Sequence, residues 1–295
     1  MGPLVSLIAL ILFAAAAGWW LLRPKPHPVP HYVFRTLAPS AEPAAPVATP
    51  VATSLPTAAP TASPTSTPAA NPNGPQLALI VDDCGQWIAT ERGFVALGIP
   101  LTLSVLPDVP YTNVIATEAS DAGKGVMLHL PMETLSGLNP GPGKVTTEMS
   151  DAQIVAQVQS DLADVPLARG VNNHEGSKAS ADTRVMRAVI GVLAQHSLFF
   201  IDSRTNVASV GEATARAMGV PTAARDVFLD NRADVAYTEA QLSQAAAIAR
   251  RTGSAIAIGH PRPTTLAAVR AMIPRLQALG IQFVLVQDIV GKNSP

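Results

Sequence analysis

Residues 77–85 read LALIVDDCG, and the rest of the chain takes its meaning from this stretch. Five apolar residues run without interruption, two adjacent carboxylates follow, and a glycine closes the run. Gly74-Pro75 stands just before it. A short apolar run bounded by turn residues predicts a strand buried on both faces, the kind found in parallel α/β sheets. Asp82 and Asp83 then sit where the strand leaves the sheet, which is where such folds gather their chemistry. Adjacent carboxylates repel, so a fold tolerates them more readily beside a cation. A plainer alternative is an Asp pair capping the next helix.

The 295 residues are 48% hydrophobic and 4% aromatic, with a formal net charge of -1. Near-neutrality removes the electrostatic case for a nucleic-acid partner, and the scarcity of aromatic rings argues against a base-stacking platform. Cys84 is the single cysteine, so no intrachain disulfide is possible.

Upstream of the key stretch, Leu4–Leu22 carries no charge over nearly the length needed to cross a bilayer. Trp19 and Trp20 lie at its end, with Arg23 and Lys25 just beyond. This predicts a membrane anchor over residues 1–25, a cleaved signal peptide being the competing reading. Residues 26–75 are rich in Pro, Ala and Thr and predict a disordered, extended tether. One globular domain is expected from 76 to 295, held extracytoplasmically on the inner membrane by a single-pass anchor.

Within that domain, strands are expected at 77–81, 101–106, 126–130, 170–173, 198–201, 227–229, 255–259 and 282–286. Helical patterns lie between them. Two carry capping-box starts, Ser150 with Gln153 and Thr238 with Gln241, and others start near Asp182 and Thr264. Such alternation predicts a parallel sheet, open or closed into a (β/α) barrel. The Gly/Pro-rich segment 131–149 is too long for a plain link and is expected over the mouth of the sheet.

Polar residues follow the strand ends one after another. Asp82 and Asp83 follow the first strand, and His129 ends the third, with Glu133 four residues on. Asn172, Asn173 and His174 end the fourth, Asp202 and Arg204 the fifth, Asp230 the sixth and His260 the seventh. In a parallel sheet these ends share one rim. An aspartate with two histidines makes a three-ligand site with room for water, as in catalytic zinc centres. The expected ligands are Asp83, His129 and His174, with Glu133 as a fourth ligand or a substrate contact. Asp82 is expected to be the general base and His260 the general acid or oxyanion donor. Asp202 and Arg204 are expected to form a pair that orients Asp82 or His260. Asn172, Asn173 and Asp230 are expected to contact substrate.

The segments IVDDCG, VMLHLPME, PGPG, GVNNHEGS, FFIDSRT, RDVFLDN and IAIGHP, taken in order, resemble the motifs of the divergent polysaccharide deacetylases, a branch of the NodB-type carbohydrate deacetylase superfamily. The resemblance implies a distorted (β/α)7-8 barrel of the glycoside hydrolase/deacetylase type and a divalent metal, usually zinc. It implies removal of acetyl groups from an envelope polysaccharide or peptidoglycan-like glycan, by attack of a metal-bound water. By position, Asp82 matches the base, Asp83 and His129 the first metal ligands, and His260 the histidine assisting the leaving group. Where the ordinary deacetylase has a second histidine after His129, this chain has Glu133, and His174 is the expected replacement. The base-clamping arginine of the ordinary third motif is missing from GVNNHEGS, and Arg204 is the candidate substitute. These departures motivate an alternative expectation: a catalytically weak or inactive glycan-binding barrel that keeps the metal site.

Overall fold

The computed structural model describes residues 74–290; the expected anchor and tether lie outside these residues. Among the described residues no helix is long and apolar enough to cross a membrane.

Nine strands form one sheet: β1 (Gln76–Cys84), β2 (Thr102–Val105), β3 (Gly125–Met132), β4 (Gly170–Glu175), β5 (Phe199–Asp202), β6 (Thr222–Ala224), β7 (Val227–Phe228), β8 (Ser254–Gly259) and β9 (Gln282–Val284). Their order is β6-β5-β4-β3-β2-β1-β8-β7, and every pairing is parallel. β9 takes the first residues of β1, Gln76–Ala78, on the edge that β2 occupies further along. Eight α-helices complete the described fold: α1 (Ile88–Val95), α2 (Thr112–Asp121), α3 (Asp151–Asp164), α4 (Thr183–Gln195), α5 (Gly211–Ala217), α6 (Val235–Thr252), α7 (Pro263–Ala278) and α8 (Val286–Val290).

Strand alternation explains the apolar run of β1. Leu77, Leu79 and Val81 point outward into the large core shared with the helices. Ala78 and Ile80 point inward, where they meet Met127, Ile201, Ile256, Ile258 and the α8 residues Val286, Ile289 and Val290. Both faces are therefore buried, and a polar residue on either would cost stability. The sheet curls around the inner cluster but does not close into a barrel. β6 and β7 form the two ends of the strand order. The chain crosses between them at Arg225-Asp226, whose amides bond to Asp202 O (3.0 Å) and Ile256 O (2.9 Å) respectively.

The expected strands are all present, and β6, only three residues long, is additional. The Ser150–Gln153 capping box forms as read, and Asp182 caps α4. The Thr238 box does not form. Asp234, four residues earlier, accepts from Tyr237 N and starts α6, leaving Thr238 inside the helix with its hydroxyl on Asp234 O.

Candidate metal centre

Simple alternation along β1 places Asp82 inward, in line with Ala78 and Ile80, and would send Asp83 outward toward the helices. The chain prevents this. The β1–β2 register breaks between Val81 and Cys84, and Asp83 adopts a left-handed backbone with φ 56°. A bulge of this kind re-aims a side chain, and aspartate tolerates the conformation better than most residues. Both carboxylates therefore face the interior of the rim. Cys84 takes the outward position, buried in the large core with its Sγ on Val81 O at 3.2 Å. Burial pushes its thiol pKa well up, so Cys84 serves as a small hydrophobe.

Asp83 Oδ1 lies 2.8 Å from His174 Nδ1 and 3.2 Å from His129 Nε2, and those two nitrogens are 3.1 Å apart. Despite these approaches, Oδ1 is buried and accepts no properly directed hydrogen bond. Three lone-pair atoms in a triangle with edges near 3 Å leave a point about 2 Å from each, the ligand distance of zinc. Among the described residues this trio is the group of His, Cys, Asp or Glu side chains placed to share a metal ion. The residues fit the metal.

Asn172 organises the trio from beneath. It is fully buried on β4, and its Oδ1 accepts from His129 Nδ1 at 2.8 Å and from the Ser104 hydroxyl. This bond places the His129 proton on Nδ1 and leaves Nε2 to face Asp83. The Asn172 amide group donates to Asp82 Oδ1 (2.9 Å) and Ser203 Oγ (3.2 Å). One side chain thus orients His129 and the neighbouring carboxylate together.

Asp82 is 3% exposed. Burial raises its pKa, a tendency the charges of His129 and His260 oppose without cancelling. Asp83 is held well below the carboxylate range, because the pull of His174, His129 and His260 outweighs its burial. Burial disfavours a charged His129, yet Asp82 and Asp83 raise its pKa. Opposite them, His260 Nε2 stands 3.7 Å from Asp83 Oδ2. Its Nδ1 is bound to Asp230 Oδ1 at 2.9 Å, and Asp230 Oδ2 accepts from His260 N and Thr265 Oγ1. Burial works against a charged His260, but Asp230 and Asp83 prevail and push its pKa up to about 9. The rim therefore holds a triangle of candidate ligands, Asp83, His129 and His174, flanked by a buried carboxylate and a protonatable imidazole.

The sequence profile of the divergent polysaccharide deacetylases matches residues 79–290. The chain belongs to this family. An uncharacterised protein from Haemophilus influenzae is 35% identical over 201 residues, 68% of this chain and 72% of that one. The uncharacterised protein YibQ of Escherichia coli is 36% identical over 201 residues, and the match spans 68% of this chain and 63% of YibQ. The chain thus accounts for somewhat under two thirds of YibQ. Among solved structures, an uncharacterised protein from Agrobacterium tumefaciens shares the fold with a TM-score of 0.71 at 22% identity, over 76% of this chain and 92% of that chain. A CE4 family pseudoenzyme from Bacillus anthracis has a TM-score of 0.51 at 13% identity, over 75% and 66%. A mutant of it with restored enzymatic activity also scores 0.51. At these identities the structural likenesses speak to fold.

Several deacetylase-motif residues stand elsewhere than expected. Glu133 leaves the rim: its carboxylate accepts from Thr147 N (2.8 Å), Thr147 Oγ1 (2.7 Å) and Lys178 Nζ (2.8 Å), tying the end of the 131–149 segment to Lys178. Burial works against its ionisation, but the Lys178 and Thr147 bonds together with the Lys178 charge outweigh it and lower its pKa to about 2. Asp202 points outward by alternation and binds Arg204 N, Ser209 Oγ and Glu212 N, ordering the turn into α5. Arg204 pairs with Glu212 at 3.0 Å in solvent. Neither orients Asp82 or His260. Asn172 and Asp230 are fully buried and position His129, Asp82 and His260, while Asn173 ties Ser203 N to the Glu175 carbonyl and Thr205. These three lie buried as supports beneath the rim.

Sequence reasoning missed Arg225. It sits at the open seam, donates to Ser203 O (2.8 Å) and Arg204 O (3.2 Å), and stacks over Phe228. Burial lowers its pKa against the pull of Asp82. Its charge is thus felt at Asp82. Its only signal in the sequence was a charged pair, Arg225-Asp226, preceding an apolar strand.

Proposed function

We propose that this chain is a metal-dependent hydrolase that removes acetyl groups from an acetylated envelope glycan. The observation that carries the reading is the ligand triangle of Asp83, His129 and His174, with Asp82 on one flank and His260 on the other. A divalent ion there, zinc by the chemistry of its donors, would supply Lewis acidity and lower the pKa of water. Asp82, its orientation set by Asn172, takes the proton of the attacking water. His260, charged through Asp230, donates a proton to the departing amine or alcohol from Nε2. The uncharged run Leu4–Leu22 and the Pro/Ala/Thr-rich tether support an extracytoplasmic, membrane-linked location for this activity.

Acetate release from acetylated glycans tests the reading, with metal content measured on the same samples. Wild type should carry about one divalent ion and release acetate. Asp82→Asn should keep the metal and lose turnover by about 100-fold or more, and His129→Ala should lose both. A chain without metal that releases no acetate contradicts the proposal. The Bacillus anthracis relative in fold, described as a pseudoenzyme, favours one second reading, a glycan-binding barrel that keeps the metal. In that case the wild type binds metal and glycan and releases no acetate.

A further inference from the structure

Asp83 reaches the other two ligands only because its backbone is left-handed, a conformation that costs a non-glycine residue about 1–2 kcal/mol. The turn that follows must hold it there. Leu106 N and Tyr111 N bond to the carbonyls of Cys84 and Gly85, fastening one side of the turn to the β2–α2 loop. Gly85, with φ 109°, lies so close to that loop that an added Cβ would stand 2.7 Å from Val109 Cγ2. The other side is fastened by a residue that the chemistry above does not use. Glu91, on α1 and fully buried, turns its carboxylate back on the preceding loop. Its Oε1 accepts from three successive amides, Gly85 N at 2.9 Å, Gln86 N at 3.0 Å and Trp87 N at 2.7 Å. Three converging amides form an anion-binding nest, and here the protein supplies its own anion.

We propose that Glu91 is a positioning residue of the metal centre. By filling the nest, its carboxylate holds the 85–87 turn and so keeps Asp83 aimed at His129 and His174. The inference rests on the reading of Asp83 as a metal ligand. An ordinary capping residue would contribute stability alone. Glu91 is assigned metal affinity as well, transmitted through two residues of backbone.

The test is zinc affinity of the full-length chain in detergent, read by competition with a chromophoric chelator, with and without formate. Glu91→Ala should bind zinc about 10- to 100-fold more weakly than wild type. Formate, a carboxylate small enough to enter the emptied nest, should recover much of that loss in Glu91→Ala and change nothing in wild type. A folded Glu91→Ala protein with wild-type zinc affinity overturns the proposal, as does a loss that formate leaves untouched. If Glu91→Ala does not fold, Glu91→Asp takes its place. Its shorter side chain cannot span all three amides, so a wild-type affinity in that variant is equally decisive against the proposal. A wild-type chain that binds no zinc removes the metal reading itself, a result distinct from either of these.

Discussion

Asp161→Asn isolates one buried charge. Asp161 lies on α3 against Gly143, 2% exposed, with Oδ1 accepting from Gln157 Nε2 at 2.9 Å and Oδ2 buried without a partner. Burial, reinforced by the charges of Asp164 and Asp108, pushes its pKa to about 7 from a model-peptide value of 3.8. The folded state thus binds this proton more tightly than the unfolded chain. Its stabilising effect is complete below about pH 4 and is lost as the pH rises through about 7. Fully ionised, the group costs the folded state about 4 kcal/mol, of which about 2.5 kcal/mol develops between pH 5 and pH 8. Asparagine removes the titration but places an amide where Oδ2 had no partner, a cost of about 1–3 kcal/mol at every pH. Asp161→Asn should therefore be near neutral at pH 5 and stabilising by about 1–3 kcal/mol at pH 8. In thermal melts the variant should gain on wild type by about 5–10 °C between the two pH values. A difference between variant and wild type that does not move with pH would refute the reasoning, whatever its size.

Asn172→Asp keeps an acceptor for His129 but removes the donor to Asp82, so it should retain zinc and lose acetate release; Asn172→Ala should lose about 10- to 100-fold in zinc affinity as well. Calorimetry and turnover on the same preparations separate the two outcomes. Zinc affinity should rise with pH, because His129 ligates only when deprotonated at Nε2 and its pKa stands above 6.5. Titrations in buffers of different ionisation enthalpy should show proton release near neutral pH, and a pH-independent affinity would contradict the ligand set. Gly143→Ala should destabilise the fold by about 1–3 kcal/mol in chemical denaturation, since its φ is 76° and an added Cβ would stand 2.4 Å from Asp161 Oδ1.

The rim was legible in the sequence because buried parallel strands must be apolar throughout. A carboxylate or histidine at the end of such a run marks the strand's exit, and strands of one direction exit on one side. That logic located Asp82, Asp83, His129, His174 and His260 together. It stopped where local backbone departs from alternation. Period two sends Asp83 to the wrong face, and only the register break and left-handed turn bring it back. The logic also cannot separate a rim residue from one just below it. Asn172 and Asp230 stand at strand ends, yet their polar atoms are consumed by His129, Asp82 and His260. Glu133 follows the His129 strand by one residue too many and turns to Thr147 and Lys178. Arg225 escaped notice because β6 is three residues long, too short to produce a pattern, so the seam it occupies was invisible. At α6, a Thr-x-x-Gln spacing satisfied the capping-box pattern, and Asp234 won because it caps Tyr237 N from outside the helix.

Asp83, His129 and His174 are proposed to hold one divalent ion. X-ray absorption at the zinc edge of the zinc-loaded chain tests it most directly. One zinc per chain is expected, with two imidazole nitrogens and at least one carboxylate oxygen at about 2.0–2.2 Å, and with loss of one imidazole shell in His174→Ala. A zinc without imidazole scattering, or a spectrum unchanged in His174→Ala, would contradict it.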